Sequence, residues 1–236
     1  MDKKEIKKPS LYIAMPCYDS VKIQTMVSMC KLVADLTRAG LKVDINTLKS
    51  PYVSYARNIL TGQFMKSDKD YLLFIDADVE FEPECALRMV VANKDIVCTP
   101  YRVKTEAIKY TTTVPDNENV KVLPGGLVEI TRGPSGMMLL HRRVFETLQS
   151  RRPDLEIEAH QHVDLFPENL KIFSFWDCTF NKGKWTGDDI AFCNLATANG
   201  FKLYANIEST MIHHGSIGYK GRYGDGLISK EKKKTQ

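Results

Sequence analysis

No stretch of the 236 residues approaches the roughly 20 consecutive apolar positions that a membrane-crossing helix requires. The basic opening "MDKKEIKKPS" has no apolar run behind it, so it does not read as a secretory signal. Cysteine never occurs as a C-x-x-C pair. Cys17, Cys30, Cys85, Cys98, Cys178 and Cys193 are scattered, most of them in apolar segments. This spacing argues against a disulfide framework or a thiolate zinc site, and for free thiols in a reducing, cytoplasmic compartment. Internal repeats and low-complexity tracts are also missing. The net charge of +4 is small and comes largely from the closing "SKEKKKTQ", a tail that reads as solvated, with contact to an acidic lipid surface or nucleic acid as the alternative.

What is present is an ordinary globular composition, 43% apolar and 26% charged, with enough chain to bury a proper core. Strand and helix patterns alternate through the first hundred residues. "LYIAMPCY" (11–18) reads as a strand, and "VKIQTMVSMCKLVADLTRAG" (21–40) as an amphipathic helix stopped by Gly40. "LKVDINTL" (41–48) alternates as a second strand, and "SYARNILTGQFMKS" (54–67) is a helix for which Ser54 is the expected cap. A third strand lies in "YLLFIDADVEF" (71–81), followed by a helix entered at Pro83 and a strand over 95–101. Residues 125–148 suggest a strand, a glycine-rich turn, a strand and a short helix. Residues 149–184 show no period and read as a long loop or insertion. A helix entered through Gly187 and closed by Gly200, a strand over 201–207 and a glycine-rich tail complete the chain.

Repeated strand–helix–strand units imply an α/β fold with a mainly parallel, Rossmann-like mixed sheet flanked by helices. The expected division is a tail over 1–10, one continuous domain over 11–226 and a basic tail over 227–236. Ligands of such sheets bind beyond the carboxyl ends of the strands. Pro16, Cys17 and Tyr18 fall at that edge, and so do Asp76, Ala77 and Asp78.

Asp76 and Asp78 pose a physical question, because two carboxylates at a buried strand end repel one another and need a positive partner. A hard divalent ion, Mg²⁺ or Mn²⁺, would relieve the repulsion and could also hold a substrate phosphate. Two solvated surface acids are the plainer alternative.

The surrounding motifs resemble those of the GT-A fold nucleotide-sugar glycosyltransferases. The matching strings are "IAMPCYD", "SYARNIL", "LLFIDADVEF", "GPSGMMLLHRRVFETL", "WTGDDIAFC" and "MIHHG", in family order from about residue 11 to 221. The resemblance implies that Asp78, with Asp76 directly or through water, holds Mn²⁺ (or Mg²⁺) on a diphosphate, with His213 as third ligand. It implies that Pro16, Cys17 and Tyr18 wall the base, and that Arg57, assisted by Asn58, reaches the base or diphosphate; Arg57 could instead pair with Asp76. Asp188 and Asp189 are then the acid/base candidates, either of them the base, or else helix-capping acids. The family pattern is usually Glu-Asp, so Asp-Asp is a departure. Trp185 suits stacking on a sugar or a place in the core.

The activity so implied is metal-dependent transfer from a nucleoside-diphosphate sugar, UDP by default, to a hydroxyl on a glycan, lipid, protein or modified nucleic acid. Inversion is the favoured course. "GYKGRYGDG" could form a mobile lid carrying Lys220 or Arg222 to the diphosphate. His160, His162 and Asp164 form a conceivable but weaker metal grouping. Three rival readings compete with this activity. A phosphohydrolase of the haloacid-dehalogenase type also has Asp-x-Asp, but on its first strand, and Glu80 stands where that class has Thr or Val. An inactive nucleotide- or carbohydrate-binding module is the non-enzymatic reading. A nucleotidyltransferase would need a glycine-rich phosphate loop that "AMPCYDSVK" lacks.

Overall fold

The computed structural model describes residues 8–116, 119–158 and 170–227. The grouping of His160, His162 and Asp164 lies outside these residues, as does most of both tails.

The chain alternates as expected at first. β1 (Leu11–Cys17), α1 (Ile23–Arg38), β2 (Val43–Lys49), α2 (Val53–Lys66) and β3 (Tyr71–Ile75) follow one another. Next come β4 (Val79–Phe81), α3 (Glu84–Ala92) and β5 (Ile96–Cys98), then β6 (Val122–Leu123), β7 (Leu127–Ile130), β8 (Met137–His141) and α4 (Arg142–Arg151). A single turn at Pro153–Leu155 precedes the hairpin β9 (Thr179–Asn181) and β10 (Lys184–Thr186). The chain continues through α5 (Asp188–Ala198), β11 (Leu203–Asn206), β12 (Thr210–His214) and β13 (Gly218–Arg222).

Among the described residues the main sheet has eight strands in the order β2-β1-β3-β8-β5-β11-β7-β6. β1 is parallel to β2 and β3, and β11 to β5; β8 runs antiparallel between β3 and β5, and β7 antiparallel beside β11. Most strands therefore point one way, with two reversals.

Strand alternation divides the core into two layers. Tyr12, Ala14, Leu72 and Phe74 face α2, α4 and α5 through Leu60, Phe64, Phe145 and Phe192. Leu11, Ile13, Leu73 and Ile75 face α1 and α3 through Leu32, Leu36, Cys85 and Met89. β1 and β3 are thus covered on both sides, which is why their sequences are apolar at nearly every position.

Two expectations need correction. Ser54 does not cap α2: the helix begins at Val53, Tyr52 stands at the cap position, and no side chain caps it. The segment read as a long loop holds the β9–β10 hairpin, whose turn places Lys182 and Gly183 both at positive φ. That geometry matches the right-handed twist of two strands joined by two residues. Part of "GYKGRYGDG" is strand β13. It pairs antiparallel with β12 along its length, and Arg222 is held by Asp225 and Glu208.

Candidate active site

The turn after β1, the start of α2 and the end of β3 converge beyond the carboxyl edge of the main sheet. A cleft of about 300 Å³ opens there, lined by Pro16, Cys17, Tyr18, Pro51, Asp76 and Asp78 among others. Ala77 lines it too. The six residues predicted from the two strand ends are therefore brought together.

Behind the cleft lies Arg57, only 3% exposed. Its Nη2 donates to Asp76 Oδ1 at 2.6 Å and its Nη1 donates to Asp188 Oδ2. The guanidinium also lies 5.9 Å from the Phe74 ring centroid and 6.0 Å from that of Trp176. Burial opposes its charge, but Asp76 and Asp188 more than offset this and hold the proton more firmly than usual. One planar cation thus joins carboxylates that lie at the end of β3 and the start of α5.

Asp76 is fully engaged. Its second oxygen accepts from the Tyr101 hydroxyl at 3.2 Å, and its backbone N–H donates to Gly136. A side chain at Gly136 would collide with both the Asp76 carboxylate and the Tyr101 hydroxyl, which accounts for glycine there. Both oxygens of Asp76 thus face partners of the protein's own, Arg57 and Tyr101.

Asp78 points elsewhere. β12 pairs antiparallel with β4, with His213 opposite Val79 and the His214 N–H donating to the Asp78 carbonyl. That register brings His213 Nε2 within 3.4 Å of Asp78 Oδ1. The other ring nitrogen, Nδ1, lies 2.9 Å from the Arg102 carbonyl, an acceptor that fixes Nδ1 as the donor and aims Nε2 at the carboxylate. Lys104 pairs with the remaining oxygen, Asp78 Oδ2. Burial would raise the Asp78 carboxyl, but His213 and Lys104 outweigh it and bring it down to about 2. His214 turns instead to Glu80, 2.7 Å away.

Among the described residues no group of three or more His, Cys, Asp or Glu side chains is arranged around one point. Asp78 and His213 nevertheless suit a shared cation, since two donors about 2.1 Å from one ion lie about 3 Å apart at right angles. A carboxylate oxygen with an oriented imidazole is a donor set that fits Mn²⁺ and leaves other positions for phosphate and water.

Asp188 and Asp189 occupy the first turn of α5, after Gly187 at the cap position. The helix dipole favours both negative charges. Only Asp188 meets Arg57. Asp189 accepts from the Ile190 N–H at 2.7 Å, and burial, reinforced by the charge of Asp188, pushes its carboxyl above the usual range.

Two predicted residues lie apart from the cleft. Asn58 is buried and serves the loop before the hairpin: its Oδ1 accepts from the Phe175 and Trp176 N–H groups, and its Nδ2 donates to Asp177. It does not reach into the cleft. Trp185 is 71% exposed on β10, directly opposite Phe180, which is equally exposed. Sequence reasoning missed Phe180, Tyr101 and Lys104. The rule that strand ends collect functional groups applied to "CTPYRVK" as much as to "FIDAD" and could have flagged the last two.

The fold on which these residues sit is an α/β sandwich built on one mixed sheet. No family model matches the chain, and neither does any curated protein. Solved structures do. The protein A197 from STIV is 16% identical, with 87% of this chain and 86% of that one covered and a TM-score of 0.51, a likeness of fold. A Drosophila beta-1,4-galactosyltransferase 7 mutant in complex with manganese, UDP-Gal and xylobiose is 11% identical over 90% of this chain and 70% of its own, at a TM-score of 0.45. A glycosyltransferase involved in glycosylation of the major capsid of PBCV-1 is 10% identical over 61% and 68%, at 0.34.

Proposed function

We propose that the chain is a GT-A type glycosyltransferase, residues 11–226 forming one catalytic unit. It would move a sugar from a nucleoside-diphosphate donor, UDP by default, to an acceptor hydroxyl. The observation that carries this reading is the Arg57 bridge. It ties Asp76, at the cleft, to Asp188, the chain neighbour of the candidate base Asp189.

Pro16, Cys17 and Tyr18 would flank the base, with the diphosphate directed toward Asp78. Asp78 and His213 would hold Mn²⁺ or Mg²⁺; when bound, such an ion supplies Lewis-acid neutralisation of charge on the departing diphosphate. Asp76, fixed by Arg57 and Tyr101, would orient the donor through the cleft wall rather than ligate the ion. Asp189 would take the acceptor proton. Its raised affinity for protons suits a general base better than Asp188, whose charge is committed to Arg57. A single carboxylate base in line with the donor gives inversion.

The phosphohydrolase alternative places its aspartate at the end of the first strand, whereas Asp76 follows β3, after two earlier strands. A thermal-shift screen of nucleotide-sugars with and without Mn²⁺ tests the proposal. Stabilisation by a UDP-sugar that depends on Mn²⁺ is expected. Hydrolysis of a phosphomonoester with no response to any nucleotide-sugar would sink it.

A further inference from the structure

Lys104 has no part in the roles above, yet its ammonium sits on the carboxylate that the reading reserves for a metal ion. The segment around it is shaped to hold it there. Arg102 gives its carbonyl to His213 and donates from its guanidinium to the carbonyls of Thr105 and Glu106, at 3.2 and 3.0 Å, while Val103 donates to the Lys109 carbonyl. The Lys104 stem lies against Gly215, in the turn between β12 and β13, and a side chain at 215 would come within 3.2 Å of its Cδ. Lys104 and Asp78 remain partly open to solvent, with side chains 36% and 30% exposed, so the pair stands at the mouth of the site and not in the core.

Asp78 presents one oxygen to His213 and the other to Lys104. A divalent ion entering between Asp78 and His213 would stand within a few ångströms of the ammonium, and the two cations would repel one another strongly at partial burial. A diphosphate arriving with the ion removes the conflict, because it offers Lys104 new anionic oxygens. Lysine suits such an exchange, being a point charge with three donors on a flexible stem.

Resting on the transferase reading, we propose that Lys104 is a donor-binding residue parked on Asp78. In the free protein its ammonium neutralises the carboxylate; when a nucleoside diphosphate arrives with its divalent cation, it passes to the diphosphate. The ion alone then binds weakly, and ion and nucleotide strengthen each other's binding by the same factor.

Electron paramagnetic resonance of free Mn²⁺ tests this on the full chain, with wild type, Lys104→Met and Lys104→Arg titrated in the absence and presence of UDP. Without UDP, Lys104→Met is expected to bind Mn²⁺ about two- to fivefold more tightly than wild type, the gain from removing a competing ion pair. With Mn²⁺ present it is expected to bind UDP several-fold more weakly, while Lys104→Arg keeps the wild-type pattern. Circular dichroism spectra of the three proteins, expected to coincide, show that the fold is shared. Equal Mn²⁺ affinity of wild type and Lys104→Met without UDP, or unchanged UDP affinity, overturns the proposal and leaves the Asp78–His213 cation site standing. Failure of every protein to bind Mn²⁺ under either condition overturns this proposal together with the transferase reading.

Discussion

Adjacent aspartates at the head of α5 differ in a way their letters conceal. Asp188 is locked to a buried cation, whereas Asp189 is half enclosed with a neighbouring negative charge that raises its proton affinity. If Asp189 is the base, activity requires it ionised, so the acid limb of kcat/KM lies above the ordinary carboxylate value of 3.8. Asp188→Asn removes one cause of that rise and is expected to move the limb to lower pH. Asp189→Asn is expected to lower kcat by roughly a hundredfold or more while sparing donor affinity. A pH–rate profile of the three proteins, with UDP titrations alongside, checks both. Asn58 belongs to another kind of residue. With its acceptor bonded to two buried N–H groups, Asn58→Ala is expected to cost about 2–3 kcal/mol in urea unfolding, the consequence of leaving those donors unmet. Sequence placed Asn58 beside Arg57 and so assigned it to the cleft. Helix geometry turns consecutive residues about 100° apart, and that alone sends the two side chains to different tasks.

At the scale of elements, the strands of the first half were legible because two-sided burial leaves an unbroken apolar signature. The reversal of β8 was not. "MMLLH" is as apolar as a parallel strand in the same place, and only the path of the chain in space sets its direction. The β9–β10 hairpin escaped notice because strands of three residues are too short to show alternation, although Lys182-Gly183 carries a turn signal. This hairpin leads directly into α5 and presents Phe180 and Trp185 side by side in solvent. If a substrate sugar stacks on this pair, Trp185→Ala is expected to raise one substrate's KM roughly three- to tenfold with the other unchanged, as loss of an aromatic stacking surface would. Steady-state kinetics with each substrate varied in turn will show it.

For the whole molecule, the charge balance of the site leaves a mark on stability. The folded-state pKa of Asp78 is about 2, below its ordinary 3.8, so the ionised form is favoured by folding. Its contribution is fully present above the unfolded value and is lost as pH falls through about 2. Asp78→Asn is therefore expected to flatten the fall in urea midpoint between about pH 5 and pH 2, by an amount corresponding to ~1–2 kcal/mol. A pair of wild-type and variant denaturation series across that range gives the answer. No helix among the described residues is long and apolar enough to cross a membrane, and all six cysteines are free. The sequence offered the Arg57–Asp76 pair as an alternative, whereas nothing in it set Lys104 beside Asp78.

The single guanidinium between β3 and α5 works as a yoke. Its two separate nitrogens each take one carboxylate, so the end of β3 and the head of α5 cannot be retuned independently at this point. Any change that drags the head of α5 will be felt at the end of β3, across more than a hundred residues of intervening chain.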